Sequence, residues 1–284
     1  MRREPQVALL PDGRRLHLQD GPIDLIVEAT GSREAVVAAY RAAADRLTGL
    51  LDGLCAELAL LRSPAGEHLP VDPVGRAMLA AVRPHSRTGF ITPMAAVAGA
   101  VADAVLAAMV EAAPLSRAFV NNGGDIALHL APGESFAIGL IDRPDRPSLF
   151  ARSIIHAADG IRGIATSGCR GRSFSLGIAD AVTVLARTAA EADAAATVVA
   201  NAVDLPGHPA VHRVAACELQ PDSDLAALPV TRAVGPLAPA EVRRALEAGR
   251  AVGEALARDG LIVAAALHLA GQTATTGAMA LAAA

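Results

Sequence analysis

The sequence is almost bare of aromatic side chains, with no Trp, one Tyr and five Phe in 284 residues. Single-stranded nucleic acid is gripped by exposed aromatic platforms, so this chain is not built for that task. Positive charge is also thin. The net charge is −4 at pH 7 and no basic run exceeds a few residues, which argues against nucleic acid or an anionic membrane surface as main partner. The three cysteines, Cys55, Cys169 and Cys217, are odd in number, widely spaced and without a CxxC pair. A disulfide framework or a zinc site is therefore not expected, and a reducing compartment fits. The opening Met-Arg-Arg-Glu-Pro-Gln turns polar again by Asp12 and lacks the apolar run and cleavage site of a signal peptide, so a cytoplasmic location is expected. The longest apolar stretch, Met94 to Ala113, is interrupted by Asp103 and Glu111 and reads as a buried helix rather than a membrane span.

What the chain has in plenty is Ala, Val and Leu, small side chains that let elements pack closely. A hairpin is expected from 14 to 29, with Ser32 as the N-cap of the helix that follows and Glu34 near its positive end. Val36, Tyr40, Leu47, Leu50, Leu51, Leu54, Leu58 and Leu61 recur mostly at three and four, predicting one long helix that Pro64 stops. Gly49 and Gly53 weaken its middle by roughly 1 kcal/mol each relative to Ala, which points to close backbone contact there. The loop from Pro84 to Pro93 carries Arg87, Thr88 and Thr92, and a bare Ala/Gly helix follows from Met94. Strands are expected at 118–121, 126–130, 136–141, 153–157, 178–185 and 211–216. A helix is expected from about Ala189, a charged one from Pro239 to Arg258, and a last strand over Leu261–Leu269, buried on both faces. Without regular βαβ alternation, the class is α+β, with mixed or antiparallel sheets and packed helices. The whole chain, 1–284, is expected to form one domain: hairpin and long helix at 14–63, a site region at 90–204, and a closing helix and strand at 236–270.

Three stretches carry candidate chemistry. In Gly163-Ile-Ala-Thr-Ser-Gly-Cys-Arg-Gly-Arg-Ser173 the loop offers backbone N–H groups, hydroxyls and the guanidiniums of Arg170 and Arg172, a set that can cradle a diphosphate; it also reads as an ordinary basic surface loop. Val120-Asn-Asn-Gly-Gly-Asp-Ile126 is longer and more polar than a minimal hairpin turn needs, and is either a ligand corner or a polar turn. Asp193 and Thr197, four residues apart, share a helix face and present two hard oxygens that suit Mg²⁺. The alternative is an exposed first-turn Asp stabilised by the helix dipole, with Thr197 bonded to its own turn. Cys169 has no evident base in the sequence to make it a nucleophile. The His residues, His129 and His156 among them, show no ligand spacing and read as structural.

Taken together and in order, Phe90-Ile-Thr-Pro-Met-Ala-Ala-Val-Ala-Gly-Ala-Val-Ala-Asp103, the Val120–Ile126 tract, Ile164-Ala-Thr-Ser-Gly168, Ala179-Asp-Ala-Val-Thr-Val184 and Ala192-Asp-Ala-Ala-Ala-Thr197 closely resemble an uncharacterised bacterial and archaeal family of the ApbE-like superfamily, over about residues 15 to 270. The FAD:protein FMN transferases are related over a narrower span, about 90 to 204. The resemblance implies an ApbE-like, T-fold-related domain. It assigns flavin-nucleotide binding to Asn121, Gly123, Gly124 and Asp125 and to Thr166, Ser167 and Gly168, and the amide of Asn122 is a further candidate for the same ligand. It also implies Mg²⁺ held by Asp193 and Thr197, with a main-chain oxygen from Val97, while Arg170 and Arg172 stand in as phosphate contacts. Asp180 is the weak candidate for a general base.

The chain also departs from the transferases. Their Lys and Tyr on either side of the glycine are Ala98 and Ala100 here, their His-x-x-Asp-Pro-x-Thr-Gly segment is missing, and their acidic Asp-Pro-Thr-Val-Gly segment has only Phe90–Met94 in its place. Two functions follow as expectations. One is an enzyme that binds FAD or FMN with Mg²⁺ in phosphoryl or flavin transfer or hydrolysis. The other is a non-catalytic cofactor-binding or assembly protein that has lost the substrate-gripping segments. The expected partner is a small nucleotide or flavin; a homo-oligomer and a redox-protein partner are both compatible with the sequence.

Overall fold

A computed structural model describes residues 4–87, 89–141, 149–277 and 282–283; Thr88 of the predicted loop lies outside them. In chain order the first elements are β1 (Gln6–Leu9), β2 (Leu16–Asp20), β3 (Ile23–Thr30), α1 (Arg33–Leu47), α2 (Leu50–Ala56), α3 (Leu58–Leu61), α4 (Pro73–Val82), α5 (Val97–Ala112), β4 (Arg117–Asn122), β5 (Asp125–Leu130), β6 (Ser135–Ile141), β7 (Leu149–His156) and β8 (Gly163–Ser167). They are followed by β9 (Ala181–Ala186), α6 (Ala189–Ala202), β10 (Val211–Ala215), α7 (Ala216–Leu219), β11 (Pro229–Val234), α8 (Pro239–Arg258), β12 (Ala264–Leu269), β13 (Gln272–Gly277) and β14 (Ala282–Ala283). The fold is α+β, as the sequence implies. The chain divides into two compact units. The first comprises 1–136, 155–165 and 186–193; the second comprises 137–154, 166–185 and 194–284.

In the first unit, the strands run β1-β2-β3-β4-β5 and then the start of β8, all antiparallel. Strict alternation in β2 and β3 buries Leu16, Leu18, Ile23, Leu25 and Val27 on one face, where α5 packs against β4 and β5. Ser32 caps α1 as expected, its Oγ accepting from the Ala35 N–H at 3.2 Å. Buried Ala35, Ala39 and Ala43 recur every four residues, giving α1 a flat stripe against which α5 packs. The single long helix expected to end at Pro64 is instead three. Gly49 adopts φ +78, a left-handed conformation that ends α1 and restarts the chain as α2. The close contact expected at Gly53 is present: a Cβ there would lie 2.6 Å from an Asp72 carboxylate oxygen.

Pro93–Ala112 is long and apolar enough to cross a membrane. Half of it is buried within the structure, with Val101, Val105 and Met109 fully enclosed, and it serves as a core helix of the first unit. Besides β4 and β5, this helix meets another helix at its bare Gly99. The contact is with the start of α6: a Cβ on Gly99 would sit 2.2 Å from the Ala189 carbonyl oxygen.

In the second unit, β9, β12 and β13 pair antiparallel. Every residue of β9 and of β12 is buried, in line with the two-sided burial expected for the 261–269 strand. That strand is not the last, however. β13, rich in Thr and Gln, follows a two-residue turn and pairs with β12 along its whole length. The amphipathic helix α8 lays Val242, Ala245, Leu246, Gly249, Gly253 and Leu256 onto β12 and β13, and Pro239 opens it where a missing N–H costs nothing.

Candidate functional site

In the first unit, the Asn-Asn-Gly-Gly-Asp tract is a minimal hairpin after all. β4 and β5 stay paired up to Asn122 opposite Asp125, and only Gly123 (φ +67) and Gly124 (φ +117) form the turn. The polar side chains are thus fixed at strand ends instead of spread along a loop. Asn121 Oδ1 accepts from the Gly124 N–H at 2.8 Å. Asn122 is buried, and its Nδ2 donates to the Ala98 carbonyl at 3.1 Å. That bond ties the corner to the first turn of α5.

Helix α5 begins without a side-chain cap of its own, since Ala96 stands at its N-cap. Asp193 supplies the cap from α6, its Oδ2 accepting from the Gly99 N–H at 3.0 Å. The alternative of a solvent-exposed first-turn Asp therefore does not hold: Asp193 is half-buried and bonded across to another helix. Burial, and after it the Asp125 carboxylate, hold its pKa well above the usual carboxylate value; the amides of Gly99 and Ala98 pull the other way, and Asp103 adds further repulsion. The Asp125 carboxylate of β5 and the Asp103 carboxylate of α5 thus both act on Asp193 of α6. Val97, the expected main-chain donor, is the first residue of α5; Thr197, a half-buried residue of the second unit, is four residues after Asp193 along α6.

Among the described residues no group of three or more His, Cys, Asp or Glu is disposed to hold a metal ion. The oxygens the first unit offers here are of another kind: the Asp193 carboxylate and backbone carbonyls at the start of α5. Such a sparse set of hard donors fits Mg²⁺, which retains several waters, and the charges that act on Asp193 favour a cation beside it.

In the second unit, Thr166 and Ser167 are half-buried at the end of β8, and the Thr166 hydroxyl meets that of Thr183 at 2.9 Å. A Cβ on Gly168 would lie 2.6 Å from the Asp180 carbonyl oxygen, so only glycine lets the loop turn there. Arg172 is exposed. Arg170 Nε donates to Asp180 Oδ1 at 3.2 Å, and the other Asp180 oxygen accepts from the Ala270 N–H at 2.7 Å. Both oxygens of the candidate base are therefore already accepting. Arg170, Asp180, His268, Ala270 and Gly271 are among the residues bounding a cavity of about 300 Å³. His268 and the 270–271 turn were not foreseen; the only sequence signal was an Ala-Gly pair between two strand-like runs.

A cavity of about 540 Å³ in the first unit runs along α4 and α5, lined by Ala, Leu and Val together with Asp103, His129, Arg162, Arg187, Thr188 and Glu191. None of the predicted site residues lines it, so volume alone does not locate the chemistry. His129 at its wall donates Nε2 to the Leu115 carbonyl at 3.0 Å, the structural role expected of it.

A family model described as AbpE bacteria matches residues 7–275. The chain is 41% identical over 140 residues to a UPF0280 protein of Methanothrix thermoacetophila, covering 48% of this chain and 55% of that one. A UPF0280 protein of Methanopyrus kandleri is 43% identical over 112 residues, covering 39% and 43%. The chain thus spans about half the length of the curated relatives it matches. Among solved structures, the apo form of the flavinyl transferase ApbE from Pseudomonas stutzeri superposes with a TM-score of 0.50 at 14% identity, over 99% of this chain and 95% of that one. At that identity the likeness concerns the fold alone.

Proposed function

The chain belongs to the AbpE bacteria family, and from that premise we propose that it binds a flavin nucleotide, FAD or FMN, together with Mg²⁺ and acts in phosphoryl or flavin transfer or hydrolysis. The observation that most supports this reading is the half-buried Asp193 carboxylate, held at the start of α5 by the Gly99 N–H at 3.0 Å; burial and the nearby Asp125 charge disfavour its ionised form, which a divalent cation would stabilise. Asp193 and Thr197 present their oxygens from one face of α6, and the Val97 carbonyl at the start of α5 is the third protein donor in this reading. Held by these residues, Mg²⁺ would supply positive charge that offsets the negative charge of a phosphate group. Asn121, Asn122, Gly123, Gly124 and Asp125 orient the nucleotide, with bare glycine backbone allowing close approach. In the second unit, Thr166, Ser167, Gly168, Arg170 and Arg172 supply N–H groups, hydroxyls and positive charge, the chemistry that phosphate oxygens require.

A second reading, a non-catalytic cofactor-binding or assembly protein, is favoured by Asp180. With both oxygens engaged by Arg170 and the Ala270 N–H, it is poorly placed to take a proton. Native mass spectrometry and titration with FAD and Mg²⁺ separate the two. Cleavage of FAD to FMN and AMP supports the enzyme, whereas retention without turnover supports the binder. Absence of FAD and Mg²⁺ binding below millimolar concentrations would remove both. Asp193→Asn is expected to abolish the Mg²⁺ dependence of nucleotide binding.

A further inference from the structure

Helices α5 and α6 cap each other. Asp193, on α6, accepts from the third N–H of α5, that of Gly99, at 3.0 Å. Asp103, on α5, accepts from the first two N–H groups of α6: Ala189 N to Oδ1 at 3.0 Å and Ala190 N to Oδ2 at 2.9 Å. In each helix the Asp stands four residues after the small residue at the crossing, Gly99 before Asp103 and Ala189 before Asp193. The arrangement is therefore reciprocal: the carboxylate of each helix occupies the positive end of the other.

The start of α6 is also wedged. A Cβ on Gly99 would meet the Ala189 carbonyl oxygen at 2.2 Å, and one on Gly163 would meet the Thr188 carbonyl oxygen at 2.0 Å. The third N–H of α6, that of Glu191, is taken by the Thr188 hydroxyl at 3.1 Å, leaving Asp103 as the holder of the first two. A helix moves nearly as a rigid body over one turn, so whatever fixes Ala189 and Ala190 fixes Asp193 one turn later.

We propose that Asp103 is the positioning residue of the Asp193 carboxylate, setting its place through the first turn of α6 without touching the ligand itself. In its metal aspect the proposal rests on the reading of Asp193 as a Mg²⁺ ligand; in its mechanical aspect it does not.

The test uses the full chain without metal and compares Asp103→Ala with Leu18→Ala, a cavity variant in the core of the same unit. Amide hydrogen exchange is followed at Gly99 and, as internal reference on the same helix, at Val105. Asp103→Ala is expected to speed exchange at Gly99 at least tenfold relative to Val105, although Gly99 bonds to Asp193 and not to Asp103. Leu18→Ala is expected to leave that ratio unchanged. An unchanged ratio in Asp103→Ala overturns the proposal. Should Asp103→Ala fail to fold, Asp103→Asn, which keeps one acceptor, is expected to show a smaller shift in the same direction.

Mg²⁺ titration supplies the second readout. Where wild type binds Mg²⁺ and Asp193→Asn does not, Asp103→Ala is expected to weaken binding at least fivefold, and unchanged affinity rejects the positioning role. Where wild type binds no Mg²⁺, the metal reading fails, and the Gly99 ratio still decides the mechanical coupling.

Discussion

Replacing Gly99 by Ala sets two physical effects of opposite sign against each other. Gly99 lies inside α5, where Ala is favoured over Gly by about 1 kcal/mol, so helix propensity alone predicts a more stable protein. The crossing with α6 predicts the reverse. The new Cβ would stand 2.2 Å from the Ala189 carbonyl oxygen and 2.7 Å from the Ala190 nitrogen, whereas non-bonded atoms rest at about 3.5–4.0 Å. Both obstacles are backbone, so no side chain can rotate away and the helices must part by about 1 Å or more. Overpacking of this kind costs roughly 1–3 kcal/mol. The parting also lengthens the Asp193 and Asp103 caps that span the same crossing, charge-assisted bonds worth about 1.5–3 kcal/mol each when well formed. With partial loss of those bonds, the net expectation is a destabilisation of about 2–5 kcal/mol. Urea unfolding followed by circular dichroism measures it as a lower midpoint at unchanged slope. A Gly99→Ala protein as stable as wild type, or more so, would refute the close crossing and with it the reciprocal capping.

Two further expectations follow from the same geometry. Burial raises the pKa of Asp103 from 3.8 to about 6, against the opposing pull of the Ala190 and Ala189 amides. The folded state therefore binds the proton more tightly than the unfolded one, so the stability this group contributes is complete below about pH 4 and is lost as pH rises through about 6, a change of about 3 kcal/mol. Denaturation at closely spaced pH values should show that decline in metal-free wild type and not in Asp103→Asn; parallel profiles would contradict it. In the second unit, Ala270 holds φ +48 ahead of Gly271 at φ +78, a turn that favours Asn at its first position. A left-handed Ala costs roughly 1–2 kcal/mol, so Ala270→Asn is expected to raise the unfolding midpoint by an amount equivalent to about 1 kcal/mol; a fall would show that the turn is held by something other than backbone preference.

Periodicity and punctuation made much of the fold legible in the sequence. Ser32 before an apolar repeat, Pro239 at a helix start, and the alternation in β2 and β3 are local signals, and each element formed where its signal stood. The long first helix was misjudged because Gly49 satisfies a helical pattern on paper while its φ of +78 breaks the helix in space. β13 escaped notice because Thr and Gln carry no hydrophobic alternation; its identity comes from pairing with β12.

For the candidate site, sequence alone determined which residues carry oxygen, amide and positive charge, and at which spacings, because those depend on the order of the chain. It could not determine that Asp193 reaches back to the Gly99 N–H, that Asp103 answers it at the start of α6, or that Asp180 spends both oxygens on Arg170 and Ala270. Ninety-odd residues separate the partners in the first and last of these bonds. Whether two groups so distant in the chain meet is decided by the packing of whole elements, and only the tertiary structure fixes that.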